Sequence, residues 1–415
     1  MNQKTQKQAN KQLKIGIIGG GAAGFFAAIH ASGIGNEVTI FEKTSKVLAK
    51  VKVSGGGRCN VTHRPMEISK FVKNYPRGEK FLKKVFTSFN SEDTIAWFED
   101  RGVALKIEVD GRVFPISDSS QSIIDVLLQE ASTLGIEIKK SCAINSVFKN
   151  DKDGYDLETE QGLFSFDKLV IASGGHPKSD SYNFLKNLYH KILDPIPSLF
   201  TFNTPKESIR ELMGLSVPNG IVKIEGTKLS YQGPILITHW GLSGPAVLKL
   251  SAFGAKWLKE QHYQAKVIIN WNADSGEQDY DKHLREYSQT YPNRKVHSHS
   301  LFGIPARLWE HFCDKSCIEN SQLYSSLSKK QLNKIVQCLF CYILTVEGKT
   351  TFKEEFVTSG GIALEEVSAE TMESKLHSNL YFAGEVLDID GITGGFNFQA
   401  AWSTGYVAGK QTQFL

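Results

Sequence analysis

The stretch LKIGIIGGGAAGFFAAIHASGIGNEVTIFEK, residues 13–43, constrains the fold more than any other part of the chain. Residues 13–18 are a short apolar run of the kind that a strand buried on both faces of a parallel sheet requires. A G-x-G-x-x-G turn follows, Gly19-Gly20-Gly21-Ala22-Ala23-Gly24, then a helical run and a second strand ending at Glu42. In such a unit Gly19 permits the tight turn, Gly21 lets the backbone reach a pyrophosphate, and Gly24 lets helix and strand pack closely. Free N–H groups at the helix start then face the phosphates. Glu42 is placed for ribose hydroxyls, and its charge disfavours the 2′-phosphate of NADP at this site. A glycine turn without a ligand is the plain alternative, and this unit alone leaves NAD and FAD both open.

The far end of the chain separates those two. SNLYFAGEVLDIDGITGGFNFQAAWSTGYVAGK (378–410) reads as a strand ending at Gly384, an acidic loop with Glu385, Asp388 and Asp390, and a helix opened by Gly394-Gly395. The small residues Ala400, Ala401, Ser403, Gly405, Ala408 and Gly409 suit a helix packed tightly on a sheet. The arrangement resembles the C-terminal strand, acidic residue and helix of flavoproteins of the glutathione-reductase type. There an aspartate binds the ribityl chain and the helix N-terminus faces the ring edge where charge accumulates on reduction.

A third stretch, VSGGGRCNVTH (53–63), runs three glycines into Arg58, Cys59 and Asn60. Each glycine costs roughly 0.5–1 kcal/mol relative to alanine inside a helix or strand. The stretch is therefore expected to be a loop that lets a ligand approach the backbone, with Arg58 and Asn60 hydrogen-bonding polar cofactor or substrate atoms. Cys59 has two readings, a thiol acting beside the ligand or a small semi-buried packing residue. No histidine or second cysteine lies close by in sequence to activate it, which favours packing.

These pieces, with GRVFPISDSS (111–120), LVIASGG (169–175), THWGLSGPAVLKLSA (238–252) and VTSGGIALEEV (357–367), resemble the BaiN/RdsA-like family of bacterial flavoproteins over nearly the full length. The resemblance implies FAD as cofactor. It places Gly19, Gly21, Ala22, Ala23 and Gly24 at the diphosphate, and Glu42 and Lys43 at the adenosine ribose. Lys50, Gly56, Gly57, Arg58, Cys59 and Asn60 fall beside the flavin, and Ala143 falls at the adenine. Gly384, Glu385, Asp390, Gly391, Gly394, Gly395, Phe396 and Asn397 close around the isoalloxazine. Leu48, Ala49 and His63 depart from the family pattern, and HPKSDSYNF (176–184) replaces its usual glycine-rich stretch.

The expected fold class is α/β: a Rossmann-like FAD-binding domain of the glutathione-reductase type with an inserted β-barrel/helical domain. At 415 residues two domains are expected. We expect a disordered tail over 1–13, a discontinuous FAD-binding domain over 14–195 and 350–415, and an insertion over 196–349 whose start Pro195 and Pro197 mark. The insertion reads as β-rich over 200–270, an antiparallel barrel or slab, and as helical over 305–345. Gly241-Leu242-Ser243-Gly244-Pro245 reads as a tight turn between strand and helix.

The polar, lysine-rich start lacks the apolar core of a signal peptide, so a cytoplasmic location with reduced thiols is expected. No apolar run is long enough for a membrane span. The net charge of +4 is too mild to imply nucleic acid by itself. Cys313, Cys317, Cys338 and Cys341 have a spacing that can mean zinc, but the second pair sits in the apolar run IVQCLFCYILTV, so no metal is expected. His297 and His299 are expected in solvent. No second G-x-G-x-x-G provides a nicotinamide domain, so NAD(P)H, if it is the electron donor, docks transiently.

The family resemblance implies reduction of a uridine in large-subunit ribosomal RNA to dihydrouridine, or oxidation of a small amine such as aminoacetone; a bile-acid-type reduction is also associated with it. A flavin-bound scaffold or sensor is the non-enzymatic alternative. One segment bears on the substrate: KFVKNYPRGEKFLKK (70–84) carries six basic residues against one acid, with Phe71, Tyr75 and Phe81 interleaved. Basic groups track phosphates and aromatics stack bases, which suits RNA. An ordinary helix with a solvated basic face is the bland alternative.

Overall fold

In a computed structural model, which describes residues 12–33, 35–350 and 357–413, the apolar run and its successor become parallel strands β1 (Lys14–Ile18) and β2 (Glu37–Phe41), joined by helix α1 (Ala22–Ala31). The tail expected over 1–13 lies almost wholly outside the described residues. Five parallel strands run in the order Leu380–Phe382, Lys168–Ile171, β1, β2, Glu137–Lys139. β1 and Lys168–Ile171 occupy its centre, and Ile15, Ile17, Leu169, Val170 and Ile171 are fully buried. Because strand order reverses beside β1, the strand C-termini open a crevice of the kind in which such sheets bind ligands. The chain divides into two compact units, one of residues up to Ile196 and from Val357, the other of Pro197–Phe356.

The closing helix, Phe396–Thr412, lies against α1. Added side chains at Gly405 and Gly409 would sit 2.5 and 2.4 Å from the carbonyl oxygens of Ala23 and Ala27. The small-residue face expected on the sheet is therefore spent on the helix: two glycines one turn apart meet two carbonyls one turn apart. Around this contact Phe26 packs on Trp97 and Trp402, with ring centroids 4.6 and 4.8 Å away.

Two histidines, the half-buried His30 and the buried His190, make this unit acid-sensitive together with His176. His30 packs among Phe26, Trp97 and Tyr406, and His190 lies 2.9 Å from the Ser374 hydroxyl through Nε2. Burial pushes each imidazole down to about 4. The unfolded chain binds protons that the folded chain refuses between the usual histidine pKa and that value. Stability therefore falls as pH drops from about 6.5 towards 4, by as much as about 3 kcal/mol for each histidine. Urea unfolding of the FAD-free protein at pH 7 and 5 should show this loss, with a smaller one in His190→Asn. An equal midpoint at both pH values would contradict it.

In the second unit, seven strands form an antiparallel sheet ordered Tyr342–Glu347, Gln264–Asn270, Ser216–Ile224, Ser230–Thr238, Gly241–Ser243, Thr201–Asn203, Lys349–Thr350. The first and last strands of this order are consecutive stretches of one segment joined at Gly348, whose N–H donates to Tyr263 O (2.8 Å) and whose carbonyl accepts Asn203 N–H (3.1 Å), so the sheet returns on itself. Gly241–Ser243 is a strand paired on both sides, and the turn is confined to Gly244, before helix Pro245–Glu260. The helical reading of 305–345 needs a second correction: helices Ala306–Lys315 and Lys329–Phe340 are followed by the strand Tyr342–Glu347. Cys341 leaves helical geometry (φ −135°, ψ 54°), and the residues after it alternate buried and exposed, the period of a strand.

His297 and His299, expected in solvent, are half-buried, with ring nitrogens 2.9 Å from Ile318 O and 3.2 Å from Lys295 O. Cys313 is buried, Cys317 exposed, and Cys338 and Cys341 half-buried. Among the described residues no group of three or more His, Cys, Asp or Glu is placed to hold a metal, and no helix is long and apolar enough to cross a membrane.

Candidate cofactor site

The first wall of the site is the start of α1. Its N-cap residue, Gly21, has no capping side chain, and the first helical bond runs from Phe25 N–H to Gly21 O (3.0 Å). The N–H groups of Ala22, Ala23 and Gly24 are thus left without helical acceptors. A Cβ built on Gly21 meets nothing within 4 Å, whereas one on Gly24 would lie 1.9 Å from Gly19 O. The turn is a cradle: open on the Gly21 side, closed on the Gly24 side. Free donors at a positive helix end facing open space fit a diphosphate.

Glu42 stands beside that turn. Its Oε2 accepts Gly20 N–H (3.0 Å), while Oε1 accepts the Thr44 N–H and hydroxyl (both 2.9 Å). Oε2 keeps acceptor capacity for a ribose hydroxyl. Lys43 is exposed next to it. Ala143, expected within a strand, is exposed one residue before Ile144–Lys149, and Cys142 N–H donates to Glu42 O (2.9 Å). The ribose and adenine candidates therefore adjoin.

The stretch 49–57 begins as helix α2 (Ala49–Gly57) and changes hand at the glycines. Ser54 is extended (ψ 148°), and Gly55, Gly56 and Gly57 take φ of +57°, +70° and +86°. Side chains on Gly56 and Gly57 would enter open space. Lys50 Nζ lies 2.6 Å from Glu385 Oε2, and Glu385 Oε1 accepts Thr358 N–H (2.9 Å). Asn60 is buried; with its amide oriented to satisfy both ends, it donates to Thr62 O and accepts Gly395 N–H, each at 2.9 Å. The glycine loop and the closing helix are thus tied directly.

Arg58 differs from its expected role, while Cys59 takes the packing place favoured for it. The Arg58 guanidinium lies 4.0 Å over the Phe114 ring and pairs with Glu108 (2.7 Å) and Asp118 (3.4 Å), so these carboxylates and not a ligand occupy it. Cys59 adopts φ +62° with its side chain fully buried, and burial pushes the thiol up to about 12 despite the Ser54 hydroxyl. A thiol held so far from ionisation is no nucleophile at neutral pH. Iodoacetamide at pH 8 should modify the exposed Cys317 and spare Cys59; early labelling of Cys59 in the folded protein would contradict this.

The closing loop forms the opposite wall. Gly384 N–H donates to the Thr404 hydroxyl (2.9 Å), and a Cβ on Gly384 would sit 2.7 Å from Ala23 Cβ, against α1. Gly391 and Asn397 clamp each other through Gly391 N–H to Asn397 Oδ1 (2.7 Å) and Asn397 Nδ2 to Gly391 O (2.9 Å). Gly394 and Gly395 have φ of +123° and +90°, and Gly395 opens the closing helix without a side-chain cap. Phe396 is buried and stacks on His63 (4.8 Å), whose Nδ1 is 3.1 Å from Gly394 O. Asp390, expected at the flavin, is fully buried and receives both Nε and Nη2 of Arg77.

The basic segment also differs from its reading. It is broken into Ile68–Phe71, Val72–Asn74 and Glu79–Val85, and Phe71, Tyr75 and Phe81 are buried. The Phe71 and Tyr75 rings pack on each other and on Phe86 and Phe396, and Phe81 is buried as well, so the three are not free to stack bases. Lys70, Lys73, Lys80, Lys83 and Lys84 remain exposed. The segment is bound to the closing loop by Ile392 N–H to Asn74 O (3.0 Å), Tyr75 hydroxyl to Phe396 O (2.7 Å), and Arg77 to Asp390.

Residues absent from the sequence reading complete the surroundings: Arg77, Thr358, and His176 with Tyr182. Of these, His176 and Tyr182 lie in the unusual HPKSDSYNF stretch, the one signal the sequence carried for them.

The family model of the HI0933-like protein Rossmann domain matches residues 13–411. A ribosomal RNA dihydrouridine synthase of Escherichia coli (strain K12) is 30% identical over 95% of this chain and 96% of its own. A 3-dehydro-bile acid delta(4,6)-reductase of Clostridium scindens is 27% identical, over 96% and 98%. Among solved structures, a 3-ketosteroid-delta4-(5alpha)-dehydrogenase of Rhodococcus jostii RHA1 superposes with a TM-score of 0.51 at 12% identity, covering 99% of each chain, which shows a shared fold.

Proposed function

This chain belongs to the HI0933-like family of FAD-dependent oxidoreductases, and on that footing we propose that it uses NAD(P)H to reduce a uridine of large-subunit ribosomal RNA to dihydrouridine. The observation that carries this choice is the group of exposed lysines on the segment bonded to the closing loop, of which Lys70, Lys73 and Lys84 pair on the surface with Glu67, Glu79 and Glu370. A phosphate backbone bound there would lie next to the element that opens the closing helix, whereas a neutral small substrate has no use for such a surface. The relative from Escherichia coli, named for this reaction, agrees with it.

FAD, when bound, supplies the two-electron relay between nicotinamide and substrate. The residues of this chain have distinct tasks towards it. The N–H groups of Ala22, Ala23 and Gly24 hold the diphosphate, and Glu42 holds a ribose hydroxyl. The uncapped N-terminus at Gly395–Asn397 favours negative charge that develops on reduction. Asn60 keeps that terminus against the glycine loop.

The test is dihydrouridine in large-subunit ribosomal RNA from cells with and without the gene, read by mass spectrometry and restored by purified protein with NAD(P)H. Replacing Lys80, Lys83 and Lys84 together by Glu should then weaken RNA turnover roughly tenfold or more at moderate salt, with FAD content and NAD(P)H oxidation by an artificial acceptor intact. Identical RNA in both strains would overturn the reading. The 27% identity with a bile-acid reductase favours a second one, reduction of a conjugated carbon–carbon double bond in a small molecule. Turnover of an unsaturated 3-ketosteroid with unchanged RNA would support it.

A further inference from the structure

His176 lies where the strand Lys168–Ile171 ends against the dinucleotide turn. Ser173 and Ala172 abut Gly19: a Cβ on Gly19 would fall 2.3 Å from Ala172 O and 2.9 Å from Ser173 Cα. Gly174 follows with φ +76° and open space where a side chain would project, and Gly175 packs against the Glu385 carboxyl. The backbone from Ser173 to Gly175 thus runs from the diphosphate cradle to the Lys50–Glu385 pair. His176 comes next and is only 8% exposed.

Its ring is fixed at one nitrogen and available at the other. Nε2 is 3.3 Å from the Ser173 hydroxyl, and the ring stands edge-on to Tyr182 at 4.8 Å. The His176 N–H donates to the Tyr182 hydroxyl (3.3 Å). Nδ1 has no hydrogen-bond partner among the described residues.

We propose that His176 is a cofactor-binding residue that takes up a proton from solvent when the anionic diphosphate of FAD binds, so that FAD is held more tightly as pH falls. This residue lies outside the motifs that imply FAD, and the inference rests on FAD as cofactor but not on any choice of substrate.

The electrostatics support the direction. The charged groups within reach of the ring are Lys43 after β2, Lys50 of α2 and Glu385 of the closing loop. Tyr182 is the titratable neighbour on the following turn, and burial holds its hydroxyl up at about 12, so it stays neutral. Burial first and then Lys43 push His176 down to about 4, so the imidazole is neutral at pH 7 in the protein alone. A diphosphate with two negative charges offsets both lysines and favours the imidazolium, which raises the pKa. Protons bound on complex formation then make affinity rise as pH falls, with at most one decade per pH unit for one group.

The full-length protein is stripped of FAD and titrated with FAD between pH 5.5 and 7.5, following flavin fluorescence. Affinity should tighten roughly tenfold from pH 7 to 5.5, and in His176→Asn it should be flat over that range. Calorimetry at pH 6 in buffers of different ionisation heat should show net proton uptake in the wild type and none in the variant. If His176→Asn fails to fold, the ring NMR signals of His176 in the wild type still decide: a tenfold tightening requires their titration midpoint to rise by about two and a half pH units on FAD addition. Absence of uptake in the wild type, uptake that persists in His176→Asn, or a midpoint that FAD leaves in place would each overturn the proposal. None of these readouts depends on whether RNA is a substrate.

Discussion

Gly21→Ala is expected to produce a protein that folds normally and has lost most of its affinity for FAD. Gly21 has φ −95° and ψ −170°, an extended conformation open to any residue, and its Cβ would meet nothing within 4 Å. The cost to the apoprotein is then only the small difference between glycine and alanine at an N-cap, a few tenths of a kcal/mol up to about 1. The methyl group projects into the space that the donors of Ala22, Ala23 and Gly24 face. Forcing an extra methyl into a filled contact costs about 1–3 kcal/mol, or about one to two decades of FAD affinity.

Gly24→Ala is the contrasting case. There the methyl would lie 1.9 Å from Gly19 O, so α1 must shift against β1, and the loss falls on folding before any ligand is added. The pair separates a glycine kept for the ligand from a glycine kept for the fold. Thermal melts of the apoproteins together with flavin absorbance after reconstitution measure both. If Gly21→Ala retained wild-type FAD affinity, the diphosphate would have to bind elsewhere.

That contrast also marks what a sequence can display. The strand, turn and helix at 14–31 were legible because the motif's residues follow one another in the chain and Gly24 acts on the Gly19 carbonyl a few residues away, whereas the backbone that Gly19 itself meets, Ala172 and Ser173, is distant in sequence. Gly55, Gly56 and Gly57 were legible for a similar reason, since a run of left-handed φ values excludes almost every other residue. Residues whose role is set by distant partners were not. Arg58 was expected to face the ligand, but Glu108 and Asp118 are brought to it by a hairpin some fifty residues on. Phe71, Tyr75 and Phe81 read equally well as stacking platforms or core, and only the break between Asn74 and Glu79, with Phe86 and Phe396 beyond, decides for core. The strand at 342–347 hid behind a helix because an apolar run suits either state until its ends are known.

Arg77 is the extreme instance, because its partner Asp390 lies 313 residues away. Arg77→Ala is expected to be the most destabilising surface-proximal substitution in the nucleotide-binding unit. Asp390 is fully buried and Arg77 is 19% exposed. Removing the guanidinium leaves a buried carboxylate without its two charge-assisted donors, which costs about 3–5 kcal/mol in comparable pairs. The damage should reach the cofactor, because Asp390 begins the loop that leads through Gly391, Gly394 and Gly395 to the closing helix. Arg77→Lys should fall in between: it keeps the charge and loses the two-pronged geometry. Asp390→Asn placed in the Arg77→Ala background should recover part of the loss, because a neutral amide is cheaper to bury than an unpaired carboxylate. A double-mutant cycle in urea, with FAD content measured in parallel, separates these terms. A loss below about 1 kcal/mol for Arg77→Ala would mean that the pair contributes no more than an exposed one. The loop would then be held chiefly by the Ile392–Asn74 and Tyr75–Phe396 hydrogen bonds.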